Sequence, residues 1–501
     1  MVDLLIINPS AAHGITGNHP VYGNLGNELV AVEPPLWARL IAGYIRDRGF
    51  SVQIIDAEAV KWNAVETTNL VEHLQPRLIC IAVYGHQPSA STQQMYGAGL
   101  TASEIKKRKS IKAPIVMVGG HVSALPQRTL VEEDIDYACV GEGPITIHGL
   151  LDGYAKYGQR GDWIFEVPGL AYYLLGEYEV NQSAPLLDLK ELHGDTWDLL
   201  PMHLYAAHNW QCLGDQGQRK PYASVYTTLG CPFRCGFCMI SSIFESNTYR
   251  MRPPKDVVSE IVMLYTKYGV RTFKIIDEMF VLNERHYTAI AQGLVDSGIS
   301  QELNIWAYAR VDTVKPHTLK MLRKAGFQWL ALGIESGSKH VRDGAEKALK
   351  SDDIVSTVRA IEQAGIHVIA NYIFGLPDDT YETMQETLRL AMELNTSFAN
   401  FYSAMAYPGS KLYDDAIKNG WRLPSSWRGF SQHNSESVPL PSKSLTSEQI
   451  LAFRDAAFLE YFSNPVLHQK LARDFGMEAV KEICKMTTYK LERNLLKEKV
   501  A

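Results

Sequence analysis

The sequence predicts an α/β protein made of two successive parallel sheets: a doubly wound domain, a partial (β/α)6 TIM-like barrel, and a C-terminal helical region. Three observations predict it. The first 150 residues alternate short apolar runs with helical patterns, and a second such alternation starts near Tyr222. Beyond about residue 440 only the helical pattern continues. At 501 residues the chain also exceeds one ordinary core, which sets the expected boundaries at 1–150, a bridging segment 151–220, a barrel 221–440 and helices 441–501.

The elements follow in order. "DLLIINPS" reads as a strand and is followed by a long loop, 9–33. Then Leu36, Leu40, Ile41, Tyr44 and Ile45 keep helical spacing. "SVQIID", "LICIAVYG", "APIVMVGGH" and "YACVGEG" are strands that end in glycine or polar turns. Ligands of such sheets bind at the carboxyl ends of the strands. Those ends are Asn8-Pro9-Ser10, Tyr84-Gly85-His86-Gln87, Gly119-Gly120-His121 and Gly141-Glu142-Gly143. "VPGLAYYLLGEYEVNQ" predicts a hairpin turning at Gly-Glu. The second series has strands "YASVYTTL", "RTFKIID", "NIWAYARV", "WLALGIES", "HVIANYIFG" and "SFANFYSAMAY", with a helix over 255–268. A barrel places its active site at the strand C-termini, where the first strand delivers three cysteines. The last region opens with a capping box at Thr446-Ser447-Glu448-Gln449.

Composition excludes several classes. A net charge of −6 offers no nucleic-acid footprint, and no stretch reaches the roughly 20 apolar residues of a membrane span. The N-terminus has neither a basic start nor a cleavage site, so a reducing, cytoplasmic setting is expected and disulfides are disfavoured. Cys80 and Cys139 sit in apolar runs and read as buried, inert thiols.

Cys231, Cys235 and Cys238, in "GCPFRCGFCMI", are different. Thiolates hold zinc or iron–sulfur clusters, and structural zinc takes four ligands. Here the spacing is C-x3-C-x2-C, and the segment 239–285 adds no fourth cysteine or histidine. The spacing favours a [4Fe–4S] cluster with one open iron over zinc.

This cluster resembles the cysteine motif of the radical S-adenosylmethionine (radical SAM) superfamily, with Phe237 as the aromatic before the last cysteine. The similarity continues through "FKIIDEMF", "WAYARVDTVKPHTLKMLRKAGFQWLALGIESGS", "ANYIFGLPDDTYETMQETL" and "AMAYPGSKLY". With "EPPLWARLIAGYIRDRGF", "GGHVSALP" and "VGEGP" it resembles the cobalamin-binding branch over about 1–440.

The resemblance implies an enzyme with three cofactors: the cluster, S-adenosylmethionine (SAM) and cobalamin. Cys231, Cys235 and Cys238 would hold three irons, and SAM would chelate the fourth. Phe237, Glu278, Arg310 and Glu335 would contact SAM. Each acidic or basic residue also has an ordinary reading: Glu278 as a solvated strand end, Arg310 as a partner of Asp312 or Asp277, Glu335 as a helix cap. The first domain would be a Rossmann-like cobalamin domain, with Ser10, Tyr84, Gly85, His86, Gln87, Gly119, Gly120, His121, Gly141, Glu142 and Gly143 at the corrin. The Asp-x-His-x-x-Gly pattern that supplies a lower histidine ligand is missing, so the cobalt's lower face would be free or approached from the 84–88 loop, by His86 or Gln87.

The implied reaction is methyl transfer from methylcobalamin to an unactivated carbon, or phosphorus, of a small-molecule substrate after hydrogen abstraction by the 5′-deoxyadenosyl radical. An external donor such as flavodoxin or ferredoxin would supply electrons. The alternatives are a radical oxidative cyclase without methyl transfer, and a non-catalytic cobalamin or cluster sensor. The loop 9–33 could cover the cobalamin. Trp306, Tyr308, Tyr372, Phe401 and Tyr402 could line the substrate cavity or belong to the core, and Cys212 could act as a substrate-side thiol.

Overall fold

The computed structural model describes residues 2–10, 30–85, 87–158, 161–192, 195–244, 247–347 and 354–497. In the first sheet, β1 (Leu4–Asn8), β2 (Val52–Asp56), β3 (Leu78–Ala82), β4 (Ile115–Val118) and β5 (Tyr137–Cys139) run parallel in the order β2-β1-β3-β4-β5. Both faces are covered, which is why the inner strands β1, β3 and β4 are buried at every position rather than alternating, while the edge strand β2 exposes Gln53. Leu4, Ile6, Cys80 and Val116 pack with the helices Leu36–Arg46 and Pro144–Tyr157; Leu5, Ile7, Ile79 and Met117 pack on the other face with the helix Ala90–Lys107.

The hairpin in the bridging segment joins this same sheet. β6 (Leu170–Leu174) pairs antiparallel with β5, and β7 (Glu177–Val180) with β6. Its turn is Leu175-Gly176 rather than Gly-Glu, with φ of +51° and +91°. Two left-handed residues match the twist of the flanking strands, and only glycine adopts that conformation freely. The rest of the bridge is fastened to both sheets. Tyr205 donates to Asp56 on β2, and Gln211 donates to the Phe273 and Asn304 carbonyls of the barrel.

The barrel is a six-stranded parallel sheet: β8 (Tyr222–Val225), then β11 (Thr272–Ile275), β12 (Asn304–Arg310), β13 (Phe327–Glu335), β14 (His367–Phe374) and β15 (Phe398–Ser403). The expected strand "YASVYTTL" is broken. Its end, β9 (Thr228–Leu229), leaves the barrel and pairs with β10 (Arg250–Met251). The cause is Asp277, whose carboxylate accepts from the Thr227 amide and from the hydroxyls of Thr227 and Thr228.

The helices Ser447–Phe462, Pro465–Phe475 and Met477–Thr487 cover the far edge, the first with the expected Thr446–Gln449 capping box. Phe453 meets Phe374 at 5.0 Å and Phe462 meets Phe398 at 5.2 Å, tying these helices to β14 and β15. Among the described residues no helix is long and apolar enough to cross a membrane.

Candidate functional site

Cys231, Cys235 and Cys238 are free, half-buried thiols on one loop beyond β9. The loop is held from two sides at its centre. The Gly236 amide donates to the Ala345 carbonyl at 3.0 Å, and the Leu412 amide donates to the Gly236 carbonyl at 3.0 Å. Phe237 packs beside Val341, Ala345 and Leu376. Burial pushes the Cys231 thiol up to about 11 and the Cys238 thiol up to about 12. Thiols in that setting become thiolates when a metal supplies the compensating charge. Among the described residues no three His, Cys, Asp or Glu side chains converge on one point, as a single zinc ion requires. A cubane cluster takes one thiolate per iron, so its legs are spread, and the thiols present suit it.

The neighbouring charged residues divide sharply. Glu278 follows the saturated Asp277, yet its Oε2 is buried with no hydrogen-bond partner among the described residues. Burial, reinforced by Asp277, holds its carboxyl up at about 7. An orphaned carboxylate oxygen beside the cysteine loop suits an ammonium group. Arg310 pairs with Asp312 at 3.0 Å, lies 3.8 Å over the Phe233 ring, and points one terminal nitrogen at Cys235 Sγ, 3.7 Å away. So the ion pair with Asp312 exists alongside a contact to the cluster loop.

Glu335, at the end of β13, caps no helix; it pairs with buried Lys347 at 2.8 Å. Its φ of +66° is uncommon for a residue with a side chain. Gly333 makes room for the pair, since a Cβ there would meet Glu335 Oε1 at 2.5 Å and Lys347 Nζ at 2.9 Å.

At the first sheet, the strand order changes direction between β1 and β3, and a cleft opens there lined by Asn8, Glu58, Gly85 and Gln93. Ser10 bonds Glu58 at 3.2 Å. Tyr84 stacks on Trp37 at 4.8 Å and donates to the Gly141 and Glu142 carbonyls. Gly119 must lack a side chain, because a Cβ would lie 1.9 Å from the Val83 carbonyl oxygen. Gly120 and Gly141 face Met239 and Ile243 of the segment after the cysteines, while Gly143 packs on Val118.

Two residues placed at the corrin by the sequence have other work. The Glu142 carboxylate is spent on Arg250 and on the Leu187 amide, joining the first sheet to β10. His121 is buried between Thr92, at 3.2 Å, and Trp427, at 4.3 Å, and burial lowers its imidazole to about 3. His86 and most of the 9–33 loop lie outside the described residues.

A cavity of about 500 Å³ fills the barrel and reaches Gln87 and Gln93 of the first domain. The strand register sorts its walls into layers. Lys274 and Trp306 are level; above them come Tyr308, Ala331, Ile369 and Phe398; then Asn371 and Asn400. Trp306, Tyr308, Phe401 and Tyr402 line it as the sequence suggested, whereas Tyr372 stacks on Phe401 in the core. Cys212 is buried outside the lining, its thiol pushed up to about 12 by burial, so it is not poised toward a substrate.

Sequence reasoning missed Lys274, paired with Glu33 at 2.9 Å, the Asn371–Asn400 amide pair, and Arg454 on a C-terminal helix. A buried lysine inside a strand and an arginine inside an apolar helix were the available signals.

Comparison with known proteins adds two domain assignments. A B12 binding domain model matches residues 25–151, and a Radical SAM superfamily model matches residues 225–391. An uncharacterized methyltransferase of Pyrococcus horikoshii is 28% identical over 434 residues, covering 86% of this chain and 88% of its own. The anaerobic magnesium-protoporphyrin IX monomethyl ester cyclase of Cereibacter sphaeroides is 25% identical over 438 residues, covering 86% of this chain and 68% of its own. In fold, the chain superposes on the radical S-adenosylmethionine methyltransferase TsrM from Kitasatospora setae, solved with cobalamin and a [4Fe–4S] cluster. The TM-score is 0.70 at 16% identity, over 97% of this chain and 99% of that one.

Proposed function

We propose that this chain, which joins a B12-binding domain to a radical SAM domain, is a cobalamin-dependent radical SAM methyltransferase acting on an unactivated carbon, or phosphorus, of a small molecule. The observation that carries the reading is the three-thiol loop with the Glu278 oxygen that has no partner among the described residues beside it, in a barrel whose cavity reaches the B12-binding domain.

When bound, the cluster with SAM supplies a hydrogen-abstracting radical and cobalamin supplies the methyl group. The chain's own residues bind and orient. Cys231, Cys235 and Cys238 hold the cluster. Glu278 accepts from the SAM ammonium, and Glu335, fixed by Lys347, from a ribose hydroxyl. Arg310 sets a cation against Cys235 and steadies the loop. Phe237 packs the loop against the barrel. At the corrin, Ser10 and Gly85 lie toward the switch-point cleft and Gln87 toward the barrel cavity, with Gly119, Gly120, Gly141 and Gly143 admitting close backbone approach. Tyr84 and His121 shape that wall from behind, and Glu142 holds it to β10. An external low-potential donor such as flavodoxin or ferredoxin supplies the electrons.

The cyclase relative favours a second reading, radical oxidation without methyl transfer. An anaerobic product assay decides between them. Methyl transfer yields S-adenosylhomocysteine as well as 5′-deoxyadenosine; oxidation yields only the latter. Cys235→Ala should abolish SAM cleavage, and a variant that cleaves at the wild-type rate would sink the cluster assignment. Hydroxocobalamin should bind stoichiometrically, and an unchanged cobalamin spectrum on mixing would count against the first domain's role.

A further inference from the structure

The cavity wall contains a cationic group with an unfilled bonding face. Arg454, on the helix Ser447–Phe462, is only 4% exposed and lines the cavity. Its Nε donates to the Phe401 carbonyl at 2.7 Å and one terminal nitrogen donates to Asp455 at 2.8 Å. The other terminal nitrogen meets no hydrogen-bond partner among the described residues. A guanidinium forgoes hydrogen bonds in a buried wall only at substantial cost, unless a bound acceptor completes it.

The local charge is unbalanced in the same sense. Asp455 is shared with Arg493, which contacts both of its oxygens at 2.9 Å, so two guanidiniums divide one carboxylate. The other buried cation of the lining, Lys274, is neutralised by Glu33, and Lys490 is exposed. One positive charge is therefore left over, which fits a monoanion rather than a dianionic phosphate.

The surrounding walls describe the rest of the molecule. Trp210, Trp306, Phe398, Phe401 and Phe458 give flat apolar surface. Tyr308 of β12 and Tyr402 of β15 add two phenol rings to the same lining.

We propose that the substrate is a flat, largely apolar monocarboxylate whose carboxylate seats on the free edge of Arg454, leaving its body under Tyr308 and Tyr402 toward the cysteine loop. The substrate role rests on the function proposed above; the anion site does not.

The test uses the reconstituted holoprotein and two probes of equal shape, 2-naphthoate and 2-naphthamide, in equilibrium dialysis. The carboxylate should bind about tenfold or more tightly than the amide, as for a hydrogen-bonded charge. Arg454→Gln should erase that preference, with cluster content and hydroxocobalamin affinity reporting the fold. Equal affinities in the wild type, or no binding of either probe, overturn the proposal without any variant. So does a preference that survives Arg454→Gln, or a loss of cobalamin affinity in a variant that keeps its cluster, which would give the guanidinium to the corrin's phosphate. Loss of SAM cleavage by the wild type with the preference intact would instead overturn the enzymatic reading and leave the anion site standing.

Discussion

Two adjacent carboxylates show how residue identity and placement separate structure from chemistry. Asp277 is saturated by an amide and two threonine hydroxyls, while Glu278 has an oxygen with no partner among the described residues. In the chain without SAM, burial holds the Glu278 carboxyl at about 7, against an ordinary value of 4.5. A folded value above the unfolded one means the protonated form stabilises the fold. That contribution is full below 4.5 and is lost as pH rises through about 7. Glu278→Gln should therefore flatten the stability of the metal-free chain across that window, measured by urea denaturation. An ammonium on Oε2 reverses the preference, so SAM binding to the reconstituted wild type at pH 6.5 should release a proton. Calorimetry in buffers of different ionisation enthalpy reads that release, and Glu278→Gln should abolish it. The motif made Glu278 legible in the sequence. The saturation of Asp277 was not legible, because its partners lie fifty residues earlier on another strand.

At the scale of elements, β13 shows why a short glycine-containing strand end matters. Its last inward positions are Gly333 and Glu335, and the Glu335–Lys347 pair lies across the space a Gly333 side chain would take. Gly333→Ala should displace that pair by a substantial fraction of an ångström while leaving the buried strand paired. Misplacement on that scale costs about 10²-fold in rate, read as 5′-deoxyadenosine formation. Hydroxocobalamin binding, remote from β13, should stay as in the wild type; if both fall together, the glycine serves the fold rather than the site. The strands themselves were legible because each is an apolar run with turn residues at its end. Two features were not. The hairpin β6–β7 carries no sign of which sheet it extends, and the break after Val225 depends on Asp277, whose grip is a tertiary fact. The cavity layers follow alternation along β12 and β14, whereas β15 lines the cavity with consecutive residues from Phe398 to Tyr402, and which alternates faced inward was decided only by the closing helices.

At the scale of the whole molecule, the chemistry requires the B12-binding domain and the cysteine loop to keep a fixed relation. A buried polar joint provides it. Arg39, on the helix Leu36–Arg46 of the first domain, is fully buried, stacks 3.3 Å from the Trp197 ring of the bridge, and pairs with Glu260 of the barrel at 3.1 Å. Arg252 pairs with the other Glu260 oxygen at 2.7 Å, and the Trp197 indole donates to Glu260 at 2.9 Å. One carboxylate thus holds all three parts of the chain. Burial lowers Arg39 only to about 10, so both guanidiniums stay charged at neutral pH and depend on Glu260. Glu260→Ala strands two buried cations, and breaking a buried pair in this way costs about 3–5 kcal/mol. Most of that cost is the unpaired charge, so Arg39→Met added to Glu260→Ala should restore part of the stability, seen as a higher urea midpoint than the single variant. Activity should split as well. The cysteine loop and Glu278 belong to the barrel alone, so SAM cleavage should survive in Glu260→Ala at temperatures where it is folded. Methyl transfer needs the joint, so the ratio of methylated product to 5′-deoxyadenosine should fall. An unchanged ratio would show that other contacts, such as Glu142 with Arg250, hold the two halves in register without it.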